Sequence, residues 1–448
     1  MIVRSARVAM IAGVLLSLAV LVGCGAGIGP TIPSAPDRGL DGGEGGSGGG
    51  GGSGGVPEVG LIQPSDLEYL GAFRLPGPSG GSDWTYSGDG LAYFPQGDPD
   101  GPDDGFPGSL FGVGHDWHKQ VCEISIPTPV ISPDKSPDAL DTAQTLRPFR
   151  DVRAGVGQLD RLTEMVRVGI EYLPAEGAQG SGKLFLCFGQ HFQEDEELDV
   201  PSHMACETDL SGARGAWRVG EASPYSVNDY LFEIPAAWAA ANTPGLRLAT
   251  GRFRDGGWGG QGPNLFAIGL GSRGSLPADG ARLNATVLLH YSSTATDPEP
   301  WHLMDEYHHS DEWAGGAWLT ASDRAAVVFV GTKGTGECWY GLPDGTRWEQ
   351  PYPADPEGQR GWWSSGFVGQ MLFYDPSDLA AVARGDRQPW EPQPYARLDL
   401  DPELFRAMGP QQKQHVGDCA FDRERGRLFV MEPLADGDKS IVHVWQVQ

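Results

Sequence analysis

The sequence predicts an all-β fold built from repeated strand units, and three observations predict it. Short apolar segments alternate with turn residues along most of the chain. Glycine and proline are frequent, at 67 and 36 of 448 residues. Long helical patterns are scarce, with short candidates only at residues 236–241, 377–384 and 402–408. The chain is therefore expected to form many short strands joined by turns.

Four types of strand recur in a fixed order, which indicates a repeat architecture. The first type follows a glycine, the second follows a turn, the third commonly ends at a proline, and the fourth resembles an edge strand. The first type lies at residues 90–94, 169–173, 262–267, 316–319 and 417–421, and the second at 109–114, 183–189, 326–331 and 427–431. The third lies at residues 121–126, 230–234, 287–291, 370–375 and 441–447, and the fourth at 145–149, 246–253, 302–307 and 396–400.

Four strand types that recur about five times predict a five-bladed β-propeller, in which each blade is a four-stranded sheet. The fourth type lacks its last member, and residues 67–75 are expected to supply it by pairing with residues 441–447. The N-terminal strand would then close the ring. No second strand of blade three is evident between Leu270 and Asn284. A six-bladed ring therefore stays open as an alternative, and a pair of β-sandwiches is a more distant one.

The first 23 residues have the organisation of an export signal. Arg4 and Arg7 precede an almost wholly apolar run over residues 8–22, which is too short for a comfortable membrane span. The run ends in Leu21-Val22-Gly23-Cys24, which resembles the lipobox of bacterial lipoproteins. The resemblance implies cleavage before Cys24, diacylglycerol on its sulfur and firm anchoring to a membrane. A plain secretory signal or a short signal anchor is the alternative.

A flexible tether is predicted to follow the lipidated cysteine. Residues 25–58 contain almost no large apolar side chains, and residues 42–55 are nearly all glycine and serine. Such a segment cannot bury a core and is expected to be a random coil with a reach of roughly 30–35 Å. The predicted organisation is a signal peptide over residues 1–23, a tether over 24–58 and the propeller over 59–448. Gly25 replaces the aspartate that signals inner-membrane retention, so the outer membrane is expected in a diderm cell.

The charge of the chain limits its partners. The formal net charge is −27, and removal of Arg4 and Arg7 with the signal leaves −29. Such a surface repels nucleic acid and anionic lipid, so no nucleic-acid partner is expected. It suits cations, neutral ligands such as sugars, or solubility alone. The propeller is expected to be a monomer whose membrane contact runs through the lipid.

Five cysteines remain for the folded domain once Cys24 is acylated, and five cannot all pair within one chain. Cys187 and Cys206 flank a long polar excursion and form the strongest disulfide candidate, because export favours oxidation. No two cysteines have the CxxC spacing of a zinc site.

A ligand site is expected where the loops before the inner strands meet the loops between the second and third strands. Aromatic residues are dense there. Tryptophan faces stack on sugar rings, and carboxylates or amides bond sugar hydroxyls, so the mixture suits a carbohydrate. The candidate ligand-binding residues are Trp84, His115, Trp117, Trp258, Gln261, Trp313 and His415, and the same loops hold Tyr86, Asp116, Arg167, Glu312 and Gln414. For any single tryptophan, packing between blades is the alternative.

Three carboxylates are candidates for catalysis. Asp89, Asp311 and Asp418 each lie just before an inner strand, so they could face one another across the axis. Five-bladed propellers include glycosidases, whose chemistry needs two carboxyl groups roughly 5–9.5 Å apart. No glycosidase signature surrounds these residues, and an aspartate that caps a turn is the alternative for each.

No motif specifies a cofactor, although Ca²⁺ or another divalent cation stays open. Residues 98–105 are acidic enough for calcium, but they lack the terminal glutamate of an EF-hand loop and contain prolines. His115 and His118 have the spacing of metal ligands, but loop histidines that bond the backbone are the alternative. We therefore predict no metal ligands.

Taken whole, the sequence resembles exported propeller proteins of unassigned function, and this resemblance implies a fold without an activity. The expected function is binding of a saccharide or glycoconjugate on the axial face of a lipid-anchored propeller. A glycoside hydrolase or lyase that uses the axial acids is one alternative. A scaffold that binds another envelope protein is the other.

Overall fold

A computed structural model describes residues 60–448, except 100, 102–104, 160–161, 163–164, 176–179, 191–199, 223–224, 253–258, 270–274, 295–296, 350–359 and 407–412. All described residues belong to one compact unit, Pro57–Gln448. The predicted signal peptide, Cys24 and the tether lie outside the described residues, as does Trp258.

The described chain forms five sheets of four or five strands. Two strands come first, β1 (Gly60–Leu61) and β2 (Leu67–Arg74). Blade one contains β3 (Leu91–Phe94), β4 (Ser109–Val113), β5 (Val121–Ser125) and β6 (Thr145–Arg150), and blade two contains β7 (Met165–Leu173), β8 (Lys183–Gln190), β9 (His203–Glu207) and β10 (Arg214–Val219). Blade three contains β11 (Tyr230–Glu233), β12 (Leu246–Gly251), β13 (Leu265–Gly269) and β15 (Ala285–Leu289). Between β13 and β15 the short β14 (Arg282–Leu283) pairs with β10 and is the fifth strand of blade two.

Blade four contains β16 (Glu312–Ala321), β17 (Arg324–Gly341), β18 (Gly361–Tyr374) and β19 (Ala396–Asp399), with β1 beside β17. Blade five contains β20 (Cys419–Asp422), β21 (Arg427–Asp436), β22 (Lys439–Val447) and the N-terminal β2. Helices α1 (Ala236–Asn242) and α2 (Pro376–Arg384) match two of the three predicted helices, whereas the described part of the third, residues 402–406, forms a turn.

Alternation of side chains along the strands fastens each blade to both of its neighbours. In β8, Leu184 and Leu186 pack against blade one, whereas Phe185 and Cys187 pack against blade three. The same alternation occurs in β17 and β21, so one apolar cluster lies between each pair of neighbouring blades. Because successive side chains of a strand point to opposite faces, an apolar strand buries both faces only when the ring closes. The predicted five-bladed β-propeller is therefore confirmed.

The ring closes between the two ends of the propeller, as predicted. Strand β2 pairs antiparallel with β22, with Leu67 opposite Val447 and Phe73 opposite Val442. The innermost strands β3, β7, β11, β16 and β20 each contact the inner strands of both neighbouring blades. These five inner strands surround the axis. We call the face where they begin the upper face and the face where they end the lower face.

The predicted assignment of strands to blades two and three is wrong. Residues 230–233 form the inner strand of blade three rather than the third strand of blade two, and residues 265–269 form its third strand rather than its inner one. The missed strands β9 and β10 complete blade two, which removes the apparent gap before Asn284. Their apolar pattern is interrupted by a register shift between Gly215 and Trp217, where Ala216 has a φ of 55°. Such a bulge hides the alternation that identifies a strand.

The predicted Cys187–Cys206 disulfide is not formed, and all five described cysteines are free thiols. Cys206 of β9 lies opposite Leu184, and Cys187 of β8 lies opposite His203. The two thiols are therefore an odd number of positions apart in register and point to opposite faces of blade two. Cys187 packs toward blade three and Cys206 toward blade one. Burial raises the pKa of the Cys206 thiol to about 12.

In the part of the chain that the structure describes, no helix is long and apolar enough to cross a membrane.

Candidate functional site

A cavity of about 680 Å³ opens on the upper face of the propeller, and we call it the upper cavity. Four blades contribute to it through the segments that lead into their inner strands or through adjacent loops. Its lining residues are Tyr86, Ser87, Gly88, Asp89, Asp116, Trp117, Leu162, Met165, Arg167, Glu312, Gln414, Val416, Pro433 and Leu434. The volume lies within the roughly 300–1,000 Å³ of small-molecule sites.

A repeated pairing of acid and base supports this face. Four inner strands are preceded by an aspartate, at positions 89, 229, 311 and 418. In three blades the aspartate contacts a basic residue of the second strand or of the segment that follows it. The pairs are Asp89–Lys119 at 2.5 Å, Asp229–Arg252 at 3.6 Å and Asp311–Lys333 at 3.0 Å. An ion pair that recurs before the inner strand in three blades indicates a role in the repeat itself rather than in one ligand site.

Of the three predicted catalytic carboxylates, only Asp89 lines the upper cavity. Asp311 is fully buried and accepts hydrogen bonds from the Lys333 Nζ at 3.0 Å and from the Gly334 N–H at 2.8 Å. Burial nevertheless raises the pKa of Asp311 to about 6. Its position just before an inner strand was predicted correctly, but its side chain serves blade four.

Asp418 is also fully buried and joins two blades. Its carboxylate accepts hydrogen bonds from the Leu91 N–H of blade one at 3.1 Å and from the Cys419 N–H at 2.8 Å. Burial raises the pKa of Asp418 well above the ordinary value. Because no basic side chain contacts it among the described residues, this carboxyl fastens the last blade to the first without an ion pair.

The floor of the upper cavity is a charge network centred on Arg167. One guanidinium nitrogen lies 3.0 Å from the Glu312 Oε2, and the other lies 3.6 Å from the Asp89 Oδ1. The buried Lys119 Nζ links Asp89 to Asp116, at 2.5 Å from each. Burial opposes the charge of Arg167, but Glu312 and Asp89 outweigh it and raise its pKa above the ordinary value. The floor therefore offers fixed donors and acceptors side by side.

Two exposed aromatic side chains form the rim of the upper cavity beside this floor. Trp117 is 82% exposed and Tyr86 is 58% exposed. The Tyr86 backbone has a φ of 54°, a left-handed conformation that disfavours residues with a side chain, and its N–H donates to the Asp438 carbonyl at 2.7 Å. Strained backbone of this kind concentrates at ligand sites. The rim therefore combines two exposed aromatic rings with a strained backbone at Tyr86.

The loop that carries Trp117 is fixed by its own hydrogen bonds. The carbonyl of His115 accepts from the N–H groups of His118 and Lys119, both at 2.9 Å. The Nδ1 of His115 accepts from the Trp117 N–H at 3.1 Å, and the rings of His115 and His118 stack at 4.4 Å. Lys119 anchors the end of the loop in the floor. Trp117 is therefore presented to solvent by a short and ordered turn.

Most of the other predicted ligand-binding residues are structural. Trp84 is fully buried and packs edge-on against Phe149 at 4.9 Å, and Trp313 is fully buried in the cluster between blades three and four. Gln261 is buried, and its carbonyl accepts from the Met304 N–H. The predictions for Trp84, Trp313 and Gln261 are corrected by their burial, since none lines the upper cavity.

His415 is likewise buried rather than presented to a ligand. Its Nδ1 lies 2.8 Å from the Asp401 Oδ1, and its N–H donates to the Thr332 Oγ1 at 2.8 Å. These contacts fasten the segment before β20 to blade four. The neighbouring Gln414, which the sequence placed in the same loop, reaches the upper cavity instead. His115 does not line the upper cavity but holds Trp117 in place by accepting a hydrogen bond from its N–H.

The apolar side of the upper cavity was missed by the sequence reasoning. Leu162, Met165, Val416, Pro433 and Leu434 form this side. Residues 432–436 continue β21 beyond its predicted end at Met431, although this extension contains Pro433 and proline normally ends a strand. Here the hairpin between β21 and β22 projects above the blade and carries Pro433 and Leu434 to the cavity. The one signal available was that the strand predicted at residues 441–447 is longer than its predicted partner at residues 427–431.

The structure gives no support to a metal site in the residues it describes, where no group of three or more His, Cys, Asp or Glu is placed to hold an ion. The acidic segment 98–105 lies partly outside the described residues. The upper cavity is lined by three carboxylates, from Asp89, Asp116 and Glu312, and by one guanidinium. These groups are hydrogen-bond acceptors and donors, and Tyr86 and Trp117 add two aromatic rings.

No protein-family model matches this chain. No curated protein matches it significantly.

Proposed function

We propose that the protein is a carbohydrate-binding propeller and that its upper cavity is the binding site. The observation that carries the proposal is the position of Trp117, 82% exposed and held by an ordered turn at the rim of a polar cavity. A large aromatic side chain in water costs free energy that a stacked sugar ring recovers, because the ring faces of sugars carry apolar C–H groups. Tyr86 offers a second flat surface on the same rim.

The floor of the cavity supplies the polar half of sugar recognition. Sugar hydroxyls both donate and accept hydrogen bonds, and the floor holds carboxylate acceptors from Asp89, Asp116 and Glu312 beside the Arg167 donor. These groups already fix one another, so little conformational entropy is lost when a ligand binds. A concave site with an exposed tryptophan favours a saccharide over a flat protein partner, so the scaffold alternative has less support.

Calorimetry on Trp117→Ala tests the proposal. A panel of glucose-, mannose- and N-acetylglucosamine-based oligosaccharides is first screened on the full chain. For the best ligand, removal of the Trp117 ring should weaken binding at least tenfold, since base or sugar stacking on one aromatic ring contributes roughly 1–3 kcal/mol. Trp301→Ala is the matched control, because Trp301 is also exposed (38%) and lies outside the upper cavity. Equal binding by both variants would contradict the proposal.

A glycoside hydrolase is a second candidate, favoured by the two carboxylates on Arg167. Asp89 and Glu312 contact the two nitrogens of one guanidinium at 3.6 and 3.0 Å, so their nearest oxygens lie no more than about 9 Å apart, below the upper limit of about 9.5 Å for a catalytic pair of carboxyl groups. Asp89→Asn and Glu312→Gln should then abolish release of reducing ends while ligand binding persists. If the wild-type protein releases no reducing ends from the oligosaccharides that it binds, binding alone is the function.

We also propose that the protein is exported and held to a membrane by lipid on Cys24. The support is the order of basic residues, apolar run and Leu21-Val22-Gly23-Cys24, followed by a segment rich in glycine and serine. The upper cavity would then work within a few nanometres of a membrane of the cell envelope. Cys24→Ser should abolish incorporation of labelled fatty acid and move the protein to the soluble fraction. Labelling that persists in Cys24→Ser would refute the anchor.

A further inference from the structure

A second cavity, of about 320 Å³, opens on the lower face, and we call it the lower cavity. All five inner strands line it near their ends, in contrast to the upper cavity. Each strand contributes an aromatic residue: Tyr93 of β3, Tyr172 of β7, Phe232 of β11, Trp318 of β16 and Phe421 of β20. The lower cavity is therefore an axial site on the opposite face from the upper cavity.

Aromatic rings dominate the walls of the lower cavity. Tyr93, Tyr172, Phe232, Trp318 and Phe421 surround it, and the first four are buried. The two tyrosine hydroxyls are already committed, since Tyr93 donates to the Pro107 carbonyl at 3.0 Å and Tyr172 donates to the Gln96 side chain at 2.8 Å. These bonds fix the two rings in the walls of the lower cavity. Aromatic faces attract cations through their quadrupoles.

Glu171 is the carboxylate of the lower cavity that lacks a counter-ion. It accepts hydrogen bonds from the N–H groups of Tyr172 at 2.7 Å and Glu233 at 3.1 Å, and it forms no ion pair among the described residues. The nearby Glu233 is bound by Arg247 at 2.6 Å and by Arg423 at 3.2 Å. Burial and the charge of Glu233 raise the pKa of Glu171 to about 8. When Glu171 ionises above this pKa, its carboxylate lies beside aromatic rings without an ion-pair partner among the described residues.

We propose that the lower cavity binds a small organic cation of the alkylammonium class. Glu171 would be the counter-ion, and the aromatic walls would surround the ammonium group. The combination of a carboxylate with several ring faces is the arrangement that recognises quaternary ammonium groups. A compact alkylammonium ion fits a cavity of about 320 Å³.

Other ligand classes fit this cavity less well. An inorganic divalent ion needs several oxygen or nitrogen ligands, and the described residues contain no group of three or more His, Cys, Asp or Glu that could hold one. An anion would need a cation to receive it, but the Arg423 guanidinium already binds Glu233, the Trp318 carbonyl and the Thr320 hydroxyl. A wholly apolar ligand would leave the charge of Glu171 uncompensated.

Calorimetric titration of the full chain with choline tests the proposal. Choline carries a permanent charge, and 3,3-dimethylbutan-1-ol has the same shape without the charge. At pH 9, choline should bind at least tenfold more tightly than this neutral alcohol. The comparison needs no variant, so it stands whether or not substitutions in the cavity fold. Equal affinities, or no choline binding at 50 mM, would overturn the proposal.

Two variants test whether Glu171 supplies the negative charge that binds choline. Glu171→Gln keeps the shape of the side chain and should weaken choline binding at least tenfold. Glu424→Gln is the matched control, because Glu424 also lines the lower cavity but its side chain is 74% exposed and should contribute less than twofold. Circular dichroism and thermal melting confirm that both variants fold. Wild-type choline affinity in a folded Glu171→Gln protein would overturn the assignment.

The pH dependence of binding gives a third readout. Protonated Glu171 cannot attract the cation, so choline affinity in the wild type should rise about tenfold from pH 7 to pH 9 and stay flat in Glu171→Gln. Other titratable or charged groups near Glu171 are Glu233 and Arg247 of blade three, Asp418, Cys419, Asp422 and Arg423 of blade five, and Tyr93 and Tyr172 of the walls. If choline affinity rose similarly in Glu171→Gln, one of these other groups would cause the pH dependence. The role of Glu171 would then be contradicted.

Discussion

The two cavities of this propeller have the same origin and opposite electrostatics. Both are lined by the inner strands or by the segments beside them, one where the strands begin and one where they end. In the upper cavity Asp89, Asp116 and Glu312 each contact a base, through Arg167 or Lys119. In the lower cavity Glu171 contacts none among the described residues.

This difference follows from the geometry of a propeller. At the upper face the loops between second and third strands reach toward the axis, and they carry long basic side chains such as Lys119 to the aspartates. At the lower face the strand ends themselves form the mouth, and the two arginines there, Arg247 and Arg423, bind Glu233 rather than Glu171. A paired network suits a neutral hydrogen-bonding ligand, whereas an unpaired charge suits an ion of opposite sign. The comparison can be tested by removing one charge at each end.

The largest effect is expected from Arg167→Met. The substitution leaves Asp89 and Glu312 facing each other without the guanidinium, and an uncompensated charge in a mostly buried position costs about 3–5 kcal/mol. Urea denaturation at pH 7 measures the free energy of unfolding. Arg214→Met is the control, because the Arg214–Asp279 pair is about half exposed and should contribute less than about 1 kcal/mol. Equal losses in the two variants would show that the upper network is not held by Arg167.

Glu171→Gln is expected to raise the free energy of unfolding by about 2–4 kcal/mol at neutral pH and above, a gain that depends on pH. The pKa of Glu171 is raised from the ordinary 4.5 to about 8 in the folded protein. Between these values the folded state holds a proton that the unfolded state has lost. Stability from this group is therefore full below pH 4.5 and lost as pH rises through 8. Gln cannot ionise, so the variant should gain stability relative to the wild type as pH increases.

Urea denaturation of both proteins at pH 5, 7 and 9 measures this difference. The contribution of Asp311 is common to the two proteins and cancels, whereas that of Asp418 adds to the gain of the variant, because the charge of Glu171 helps to raise the pKa of Asp418. A difference in unfolding free energy that stays constant from pH 5 to pH 9 would show that Glu171 ionises normally. The lower cavity would then have no shortage of positive charge, and the contrast between the two ends would fail.

The sequence predicted the ring but not the composition of its axial face. Apolar periodicity and turn residues gave the blade count and the closure by residues 67–74, because those depend on local pattern. The boundary between blades two and three was misplaced where the bulge at Ala216 breaks the pattern of β10. That error also hid Asp229 and Arg252, which repeat the acid–base pair of the other blades.

Site residues were harder to predict because proximity to the axis does not separate exposed from buried side chains. Trp84 and Trp117 occur in loops of the same blade, but Trp84 packs under Gly112, where even a Cβ would lie 2.9 Å from its ring. Trp117 instead follows a histidine that caps its own turn. Arg167 and Glu312 were placed on the correct face by their position before or at the start of inner strands. Their direct contact could not be predicted from the sequence, since it joins residues of two blades that are far apart in the chain.

The smallest expected effect concerns the strained rim of the upper cavity. Tyr86 has a φ of 54°, which glycine adopts without strain and other residues adopt at a cost of roughly 1 kcal/mol. Tyr86→Gly and Tyr86→Ala both remove the ring, so both should weaken oligosaccharide binding by a similar factor. Only glycine relieves the backbone, and it should be more stable than the alanine variant by about 0.5–1 kcal/mol. Thermal melting beside calorimetry separates the two effects. A glycine variant no more stable than the alanine variant would mean that the rim carries no strain, and the exposed ring alone would then distinguish the upper cavity from the lower one.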